Sequence, residues 1–177
     1  AEVGSYPTSY IPTSGSTVQR AADVANGSGN SEVFSDTQGV LFANIAALAN
    51  DLTFRVISLS DGSGSNRLWI YYTTTSNKIQ IFDGSSIMDH TLSDITTSIK
   101  ILAAYDSNGT RMWVNGYQVN SSPYVGFSGF DRLNFSSESL GLPFYGKTKE
   151  LSYYDAVLTD SELEYLTSYR SLSELVK

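Results

Sequence analysis

Short β-rich runs broken at close intervals by glycine and asparagine turns constrain this chain more than any other feature of it. The strongest instance is Asn115-Gly116, set between Thr110-Arg111-Met112-Trp113-Val114 and Tyr117-Gln118-Val119. Both central residues of a type I′ turn need positive φ, which Asn and Gly tolerate, so the two runs are predicted to pair as a hairpin. Upstream, residues 52–59 are β-rich and end at Asp61-Gly62-Ser63-Gly64-Ser65-Asn66, a loop that returns the chain into residues 67–72. Ser76-Asn77 then turns into residues 78–82, and Asp83-Gly84 ends that run. Residues 98–105 form the next strand, and Asp106-Ser107-Asn108-Gly109 turns it into residues 110–114. Leu133-Asn134-Phe135 and residues 150–154 complete the set. The small residues of 40–48 suit strand or helix, and their context favours strand. Strands at this spacing predict an all-β, two-sheet antiparallel sandwich or jelly roll.

The two ends of the chain depart from this pattern. Residues 1–31 contain Tyr6-Pro7 and Ile11-Pro12, and a residue before proline is pushed away from helix. Asn26-Gly27-Ser28-Gly29-Asn30-Ser31 reads as a flexible, turn-rich connector. The segment is expected to be an extended arm that packs along the domain or leads in from a preceding module, with the sandwich occupying 32–177. The chain opens on Ala1 rather than Met, as an excised fragment would. At the other end, Thr159-Asp160-Ser161-Glu162 has capping-box spacing, and Leu163, Leu166 and Tyr169 make an apolar stripe at helical spacing. A short helix over about 160–169 is predicted to cover an open end of the sandwich.

Composition removes several functions. With 11 Lys+Arg against 18 Asp+Glu, the formal charge of −7 argues against a phosphate-binding surface, so nucleic acid is not an expected partner. The absence of cysteine excludes disulfides, thiol nucleophiles and thiolate metal sites. One histidine, His90, excludes multi-histidine zinc sites. No apolar run reaches the roughly 18–20 residues that a helical membrane span needs. Charged residues make up only 16% of the chain, so Ser, Thr, Asn and Gly must keep the surface wet. The 12 Tyr, 8 Phe and 2 Trp then become candidates for meeting a neutral ligand such as a sugar.

Thr8-Ser9-Tyr10-Ile11-Pro12-Thr13-Ser14-Gly15-Ser16-Thr17-Val18, followed by Arg20-Ala21-Ala22-Asp23, resembles an arm that recurs in bacteriophage and prophage tail proteins. Three later segments are similar to the concanavalin A-like, laminin-G-like module that follows such arms. They are Lys100-Ile101-Leu102-Ala103-Ala104-Tyr105, Trp113-Val114-Asn115-Gly116, and Glu150-Leu151-Ser152-Tyr153-Tyr154-Asp155 running into Leu158-Thr159-Asp160-Ser161-Glu162-Leu163 and Leu166-Thr167. The resemblance is collinear and spans nearly the whole chain. It implies a concanavalin A-like jelly roll, a place in the virion tail or fibre, and other tail modules of the same protein as neighbours. It also implies receptor binding or adhesion through a host-surface glycan or polysaccharide. No ligand-binding motif accompanies it, because the matched segments are structural.

The residues themselves carry no catalytic pattern. Glycanases on related jelly rolls place acidic residues at alternate strand positions, where they flank the glycosidic bond. Here the two-residue spacing of Glu162 and Glu164 falls in the predicted helix, which points them apart. Gln80-Ile81 is followed by Phe82 rather than the His of the lyase signature, and His90 stands alone. A non-catalytic domain is therefore expected, with glycan binding as the first function. A virion assembly module with protein partners only is the second, and a polysaccharide hydrolase or lyase the third.

Alternation sorts the candidate ligand contacts. Leu68, Ile70 and Tyr72 share one face of their run, leaving Trp69 and Tyr71 on the other. Met112 and Val114 likewise leave Arg111, Trp113 and Asn115 opposite. If the aliphatic sets point inward, these rings face outward, open to a pyranose or packed under the arm or terminal helix. Tyr117 and Tyr124, in or near the Gly- and Ser-rich stretch 121–129 with Phe127 and Phe130, are the loop candidates. Asp61 and Asn66 place oxygen donors as a calcium loop does, but the later bidentate carboxylate is missing, so a plain hairpin loop is the preferred reading over a structural calcium site. No other cofactor is expected.

Overall fold

Because successive strand residues face opposite ways, a series such as Leu41, Ala43, Ile45 and Ala47 is buried only if a second layer covers its face. The computed structural model, which describes Gly15 and residues 25–169, contains that layer. In chain order the described strands are β1 (Gly39–Ala47), β2 (Arg55–Ser60), β3 (Arg67–Tyr72), β4 (Lys78–Phe82), β5 (Ile87–Thr91) and β6 (Ile99–Asp106). Then come β7 (Gly109–Val114), β8 (Tyr117–Ser122), β9 (Arg132–Asn134) and β10 (Gly146–Tyr154), followed by helix α1 (Asp160–Thr167). They form two five-stranded antiparallel sheets, ordered β10-β1-β6-β7-β8 and β5-β4-β3-β2-β9. The expected all-β sandwich with a short C-terminal helix is the observed architecture.

The inward rows fill the space between the sheets. Leu41, Ile45, Ile101, Tyr105 and Met112 from the first sheet meet Ile57, Leu59, Leu68, Ile70, Ile79, Ile81 and Met88 from the second. One end is plugged by rings: Phe127 lies 5.0 Å edge-on to Tyr105, and Phe130 packs 6.0 Å from the same ring. The Asp36 carboxylate holds that plug, accepting from Gly129 N at 2.6 Å and Phe130 N at 2.9 Å. At the other end Arg55 donates to Asp51 and to the carbonyl of Tyr145, both at 2.6 Å. Gly39 admits a close approach of two phenols, since a Cβ there would lie 2.5 Å from the Tyr153 hydroxyl and 2.7 Å from that of Tyr105.

The outer face of the first sheet is also apolar, and α1 covers it. Val40, Phe42, Leu102, Ala104 and Trp113 pack with Leu163 into a second, smaller core. The capping box forms as the spacing predicts: Glu162 N donates to the Thr159 hydroxyl, and Thr159 N donates to the Glu162 carboxylate at 2.8 Å. Arg111 bridges the sheet to this helix through Asp106 at 2.9 Å and Asp160 at 2.7 Å. Asn115 and Gly116 adopt φ of 49° and 92°, the left-handed pair that the hairpin requires.

The departures from expectation have local causes. Residues 52–54 stay outside β2, and Leu52 sits at φ 60°, a turn conformation. β5 was hidden because, of its five residues, only Met88 is fully buried, which is the pattern of an edge strand. β10 begins four residues early, through the polar stretch Gly146–Lys149, with a register shift opposite Asn44 and Ile45. The helix ends at Thr167 rather than 169. Of the predicted arm, residues 1–24 other than Gly15 lie outside the described residues. Its connector, however, packs along the domain: Ser28 bridges Leu133, and Gly27 N donates to the Asn134 side chain at 2.6 Å.

Two predictions follow from this packing. Trp113 is 6% exposed, and its indole N–H is buried without a partner. Trp113→Phe should therefore stay within about 1 kcal/mol of wild type in urea melts, because it removes an unpaired donor together with some volume. Trp113→Ala should cost roughly 3–5 kcal/mol. Burial also raises the phenol pKa of Tyr72, Tyr105 and Tyr153, and pushes that of Tyr71 up to about 12. A phenol raised in the folded state contributes stability that is intact below its unfolded pKa of about 10 and is lost as pH rises through the folded value. Denaturation midpoints should hold level to about pH 9.5 and fall between about pH 10 and 12, by on the order of 2 kcal/mol from Tyr71 alone. A midpoint unchanged at pH 11.5 would contradict it.

Candidate functional site

The two outer faces of the sandwich are treated differently. Helix α1 packs on β6, β7 and β8 of the first sheet, and among the described residues no helix packs on the second. On the second sheet the inward positions of Leu68, Ile70 and Tyr72 turn Arg67, Trp69 and Tyr71 outward, and Ile79 and Ile81 do the same for Lys78, Gln80 and Phe82. Register then sets neighbours: Trp69 lies opposite Phe82, and Tyr71 opposite Gln80. The rings form one continuous patch, with Trp69 edge-on to Tyr71 at 5.7 Å and to Phe82 at 6.0 Å. Phe54, on the approach to β2, extends the patch 6.1 Å beyond Tyr71.

The Arg67 guanidinium lies over this patch, 4.6 Å from the centre of the Trp69 ring and 5.0 Å from that of Phe82. Such stacking uses the planar, weakly hydrated face of Arg, which a lysine lacks. Glu138 fixes the arrangement from a distant part of the chain. One carboxylate oxygen accepts from Arg67 Nη1 at 2.7 Å and the other from Trp69 Nε1 at 3.0 Å. The Glu138 side chain is only 8% exposed, so this ion pair is largely out of water. The segment bearing it is pinned on both sides: the Ser58 hydroxyl donates to the Ser136 carbonyl at 2.7 Å, and the Ser137 hydroxyl accepts from Gly141 N and Leu142 N.

The predicted site residues separate. Trp69 and Tyr71 lie together on the second sheet, but Tyr71 is 4% exposed and supports the patch more than it presents a surface. Arg111, Trp113 and Asn115 belong to the first sheet, on the opposite side of the molecule. The expected outward exposure of Trp113 is corrected: α1 seals it, which is the packing alternative left open by its apolar neighbours. Arg111 is committed to Asp106 and Asp160. Asn115 Oδ1 accepts from Lys100 N at 3.0 Å, a structural role in its hairpin. Tyr117 is 74% exposed beside that turn, on the sheet opposite the Trp69 patch. Tyr124 donates its hydroxyl to the Gly126 carbonyl and packs edge-on against Phe127, closing the end of the sandwich.

The Asp61 carboxylate is satisfied within its own loop, by Ser63 N at 2.7 Å and the Asn66 side-chain amide at 3.0 Å. Asn66 thus presents a donor to Asp61, the geometry of a hairpin loop rather than of two ligands facing one cation. Among the described residues no group of three or more His, Cys, Asp or Glu is placed to hold a metal ion. A separate cleft of about 430 Å³ opens between Phe135, Phe144, Tyr145 and Leu140. Two of its polar lining groups, Asn26 and the Ser136 hydroxyl, bond each other at 3.2 Å.

Sequence reasoning missed Glu138, which is 69 residues from Trp69 and sits in no strand. It also passed over Phe82 and Arg67, although the alternation of Ile79 and Ile81 already turns Phe82 outward. Chemically, the patch offers flat apolar surface, one stacked guanidinium and the Gln80 amide. Glu138 engages both oxygens, one with Arg67 and the other with Trp69.

No protein-family model matches the chain, and no curated protein matches it in sequence. Its fold does have solved counterparts. The carbohydrate-binding module CBM40 of the Ruminococcus gnavus IT-sialidase superposes with a TM-score of 0.63 at 14% identity, covering 85% of this chain and 98% of that one. The same module bound to α2,3-sialyllactose gives 0.61. The leech intramolecular trans-sialidase gives 0.62 at 17% identity, but only 27% of that longer protein is covered. The chain thus shares its fold with nearly the whole of that solved carbohydrate-binding module and spans about a quarter of the solved trans-sialidase chain.

Proposed function

We propose that this chain is a non-catalytic glycan-binding module and that the ligand docks on the outward rows of β3 and β4. The observation that carries this reading is the Arg67–Trp69–Phe82 stack, held by Glu138 on a sheet face that no helix covers among the described residues. Aromatic and guanidinium planes suit the C–H faces of a pyranose, and Gln80 with the outer guanidinium N–H groups suits its hydroxyls. The fold shared with a module solved with sialyllactose supports the same reading. We further propose that the module serves a phage tail or fibre, exposed to the outside, where it recognises host-surface glycan beside other tail modules. That placement rests on the resemblance of residues 8–23 and of the later segments to tail proteins. Single-site affinity is expected to be weak, with multiple copies on a particle supplying avidity.

Trp69→Ala and Phe82→Ala should each lower adsorption of the multivalent protein to its target cells or glycan at least about tenfold, as loss of a central aromatic anchor does. Melting curves check that both variants are folded. Tyr117→Ala, on the other sheet, should bind as wild type. Full adsorption by both folded patch variants would overturn the assignment of this face, and a Tyr117→Ala loss would move the site to the β7–β8 hairpin.

A further inference from the structure

We infer that the glycan taken by this face is uncharged. The inference rests on the sugar-binding reading above and concerns which sugars that face admits. Three cations stand on the outward rows of the second sheet: Arg67 on β3, Lys78 on β4 and Arg132 on β9. Each is already matched with a carboxylate of the protein. Arg67 meets Glu138 at 2.7 Å, Lys78 meets Asp89 at 2.5 Å, and Arg132 meets Asp131 at 2.6 Å. Lys78 and Asp89 face each other across the β4–β5 pair, whose register brings Gln80 opposite Asp89. Among the described residues, the outward rows therefore hold no unbalanced cation with which to draw in a carboxylate.

The Arg67–Glu138 pair decides the matter, because the other two are partly exposed and weak. Recognition of a carboxylate by arginine is strongest when two parallel N–H groups are presented together. Arg67 presents no such pair free of a protein carboxylate. Its Nη1 already donates to Glu138, and its Nε is buried without a partner, out of reach of a ligand. Nη2 and the second hydrogen of Nη1 remain, enough for a hydroxyl or an amide carbonyl, and a carboxylate that took both would have to share Nη1 with Glu138. An acidic sugar would also set its charge beside that of Glu138. Displacing Glu138 would strand a largely buried carboxylate with only the Trp69 N–H to hold it. A neutral hexose or N-acetylhexosamine meets none of these obstacles.

The test is a glycan array probed with the full 177-residue chain. It displays neutral oligosaccharides and their sialylated or uronate-bearing counterparts in matched pairs, and is read in about 20 mM and about 300 mM NaCl, on either side of the ~10 Å screening length. Neutral members should give signals at least about tenfold above their acidic partners, unchanged by salt. Glu138→Gln removes the competing charge, and should narrow that ratio severalfold by raising the acidic signals. Acidic members that equal or exceed the neutral ones in the wild type would overturn the inference while leaving glycan binding in place. So would a ratio that Glu138→Gln leaves unmoved. An array silent for every glycan would instead remove the sugar-binding reading, and this inference with it.

Discussion

The pleat of a β-strand ties the two faces of each sheet together, so every inward aliphatic residue commits its neighbours to the outside. In this chain the inner rows are aliphatic almost throughout, and the two outer faces had to be resolved separately. The first sheet carries Val40, Phe42, Leu102 and Trp113 outward, too apolar to leave in water, and α1 is the cover. Its capping box, the Arg111 bridge and the bond from Gly116 N to the Thr167 hydroxyl all serve to hold that cover down. The second sheet carries Arg67, Lys78, Gln80 and Asp89 between its aromatic residues, a mixture that can face solvent without a lid. The composition of these outer rows thus accounts for why one face takes a helical cover and the other is left partly open among the described residues.

Glu138 converts the second face from an assortment of side chains into a fixed arrangement. An exposed arginine carries considerable rotamer freedom, and stacking it over Trp69 and Phe82 would be transient without an anchor. The anchor arrives from the segment between β9 and β10, which is itself tied to β2 by Ser58. One carboxylate thereby orients the guanidinium and the indole together. Rigidity of this kind lowers the ordering cost of any binding at the face.

Alternation and turn chemistry made the strands legible. Asn115-Gly116, the Leu68-Ile70-Tyr72 row and the Thr159–Glu162 spacing each rest on interactions within a few residues, and each took the predicted form. The same reasoning stopped short at β5, where a lone inward methionine leaves no period to read, and at the early start of β10, which is polar and bulged. The site was half legible. Trp69 and Trp113 have identical local patterns, outward aromatics between aliphatic neighbours, yet one is half-buried beside the Glu138 segment and the other is sealed under α1. What separates them is the sheet to which each strand belongs and where the C-terminal helix lands, and neither is encoded within the strand.

That difference bears on how the aromatic content of such a chain should be weighed. Of the rings singled out from sequence, Trp113 is spent under α1, Phe127 and Phe130 on closing the sandwich, and Tyr71 underlies its neighbours. Ring abundance therefore measures packing more than recognition. The informative feature is a polar group that a core would not tolerate: Arg67 lies on rings that could have been covered by an aliphatic side chain, and it requires a buried acid to hold it there. A buried ion pair of this sort contributes little net stability, since its desolvation offsets its attraction. On the sheet face where no helix packs among the described residues, the proposed glycan contact gives such a pair a reason to be kept that stability does not.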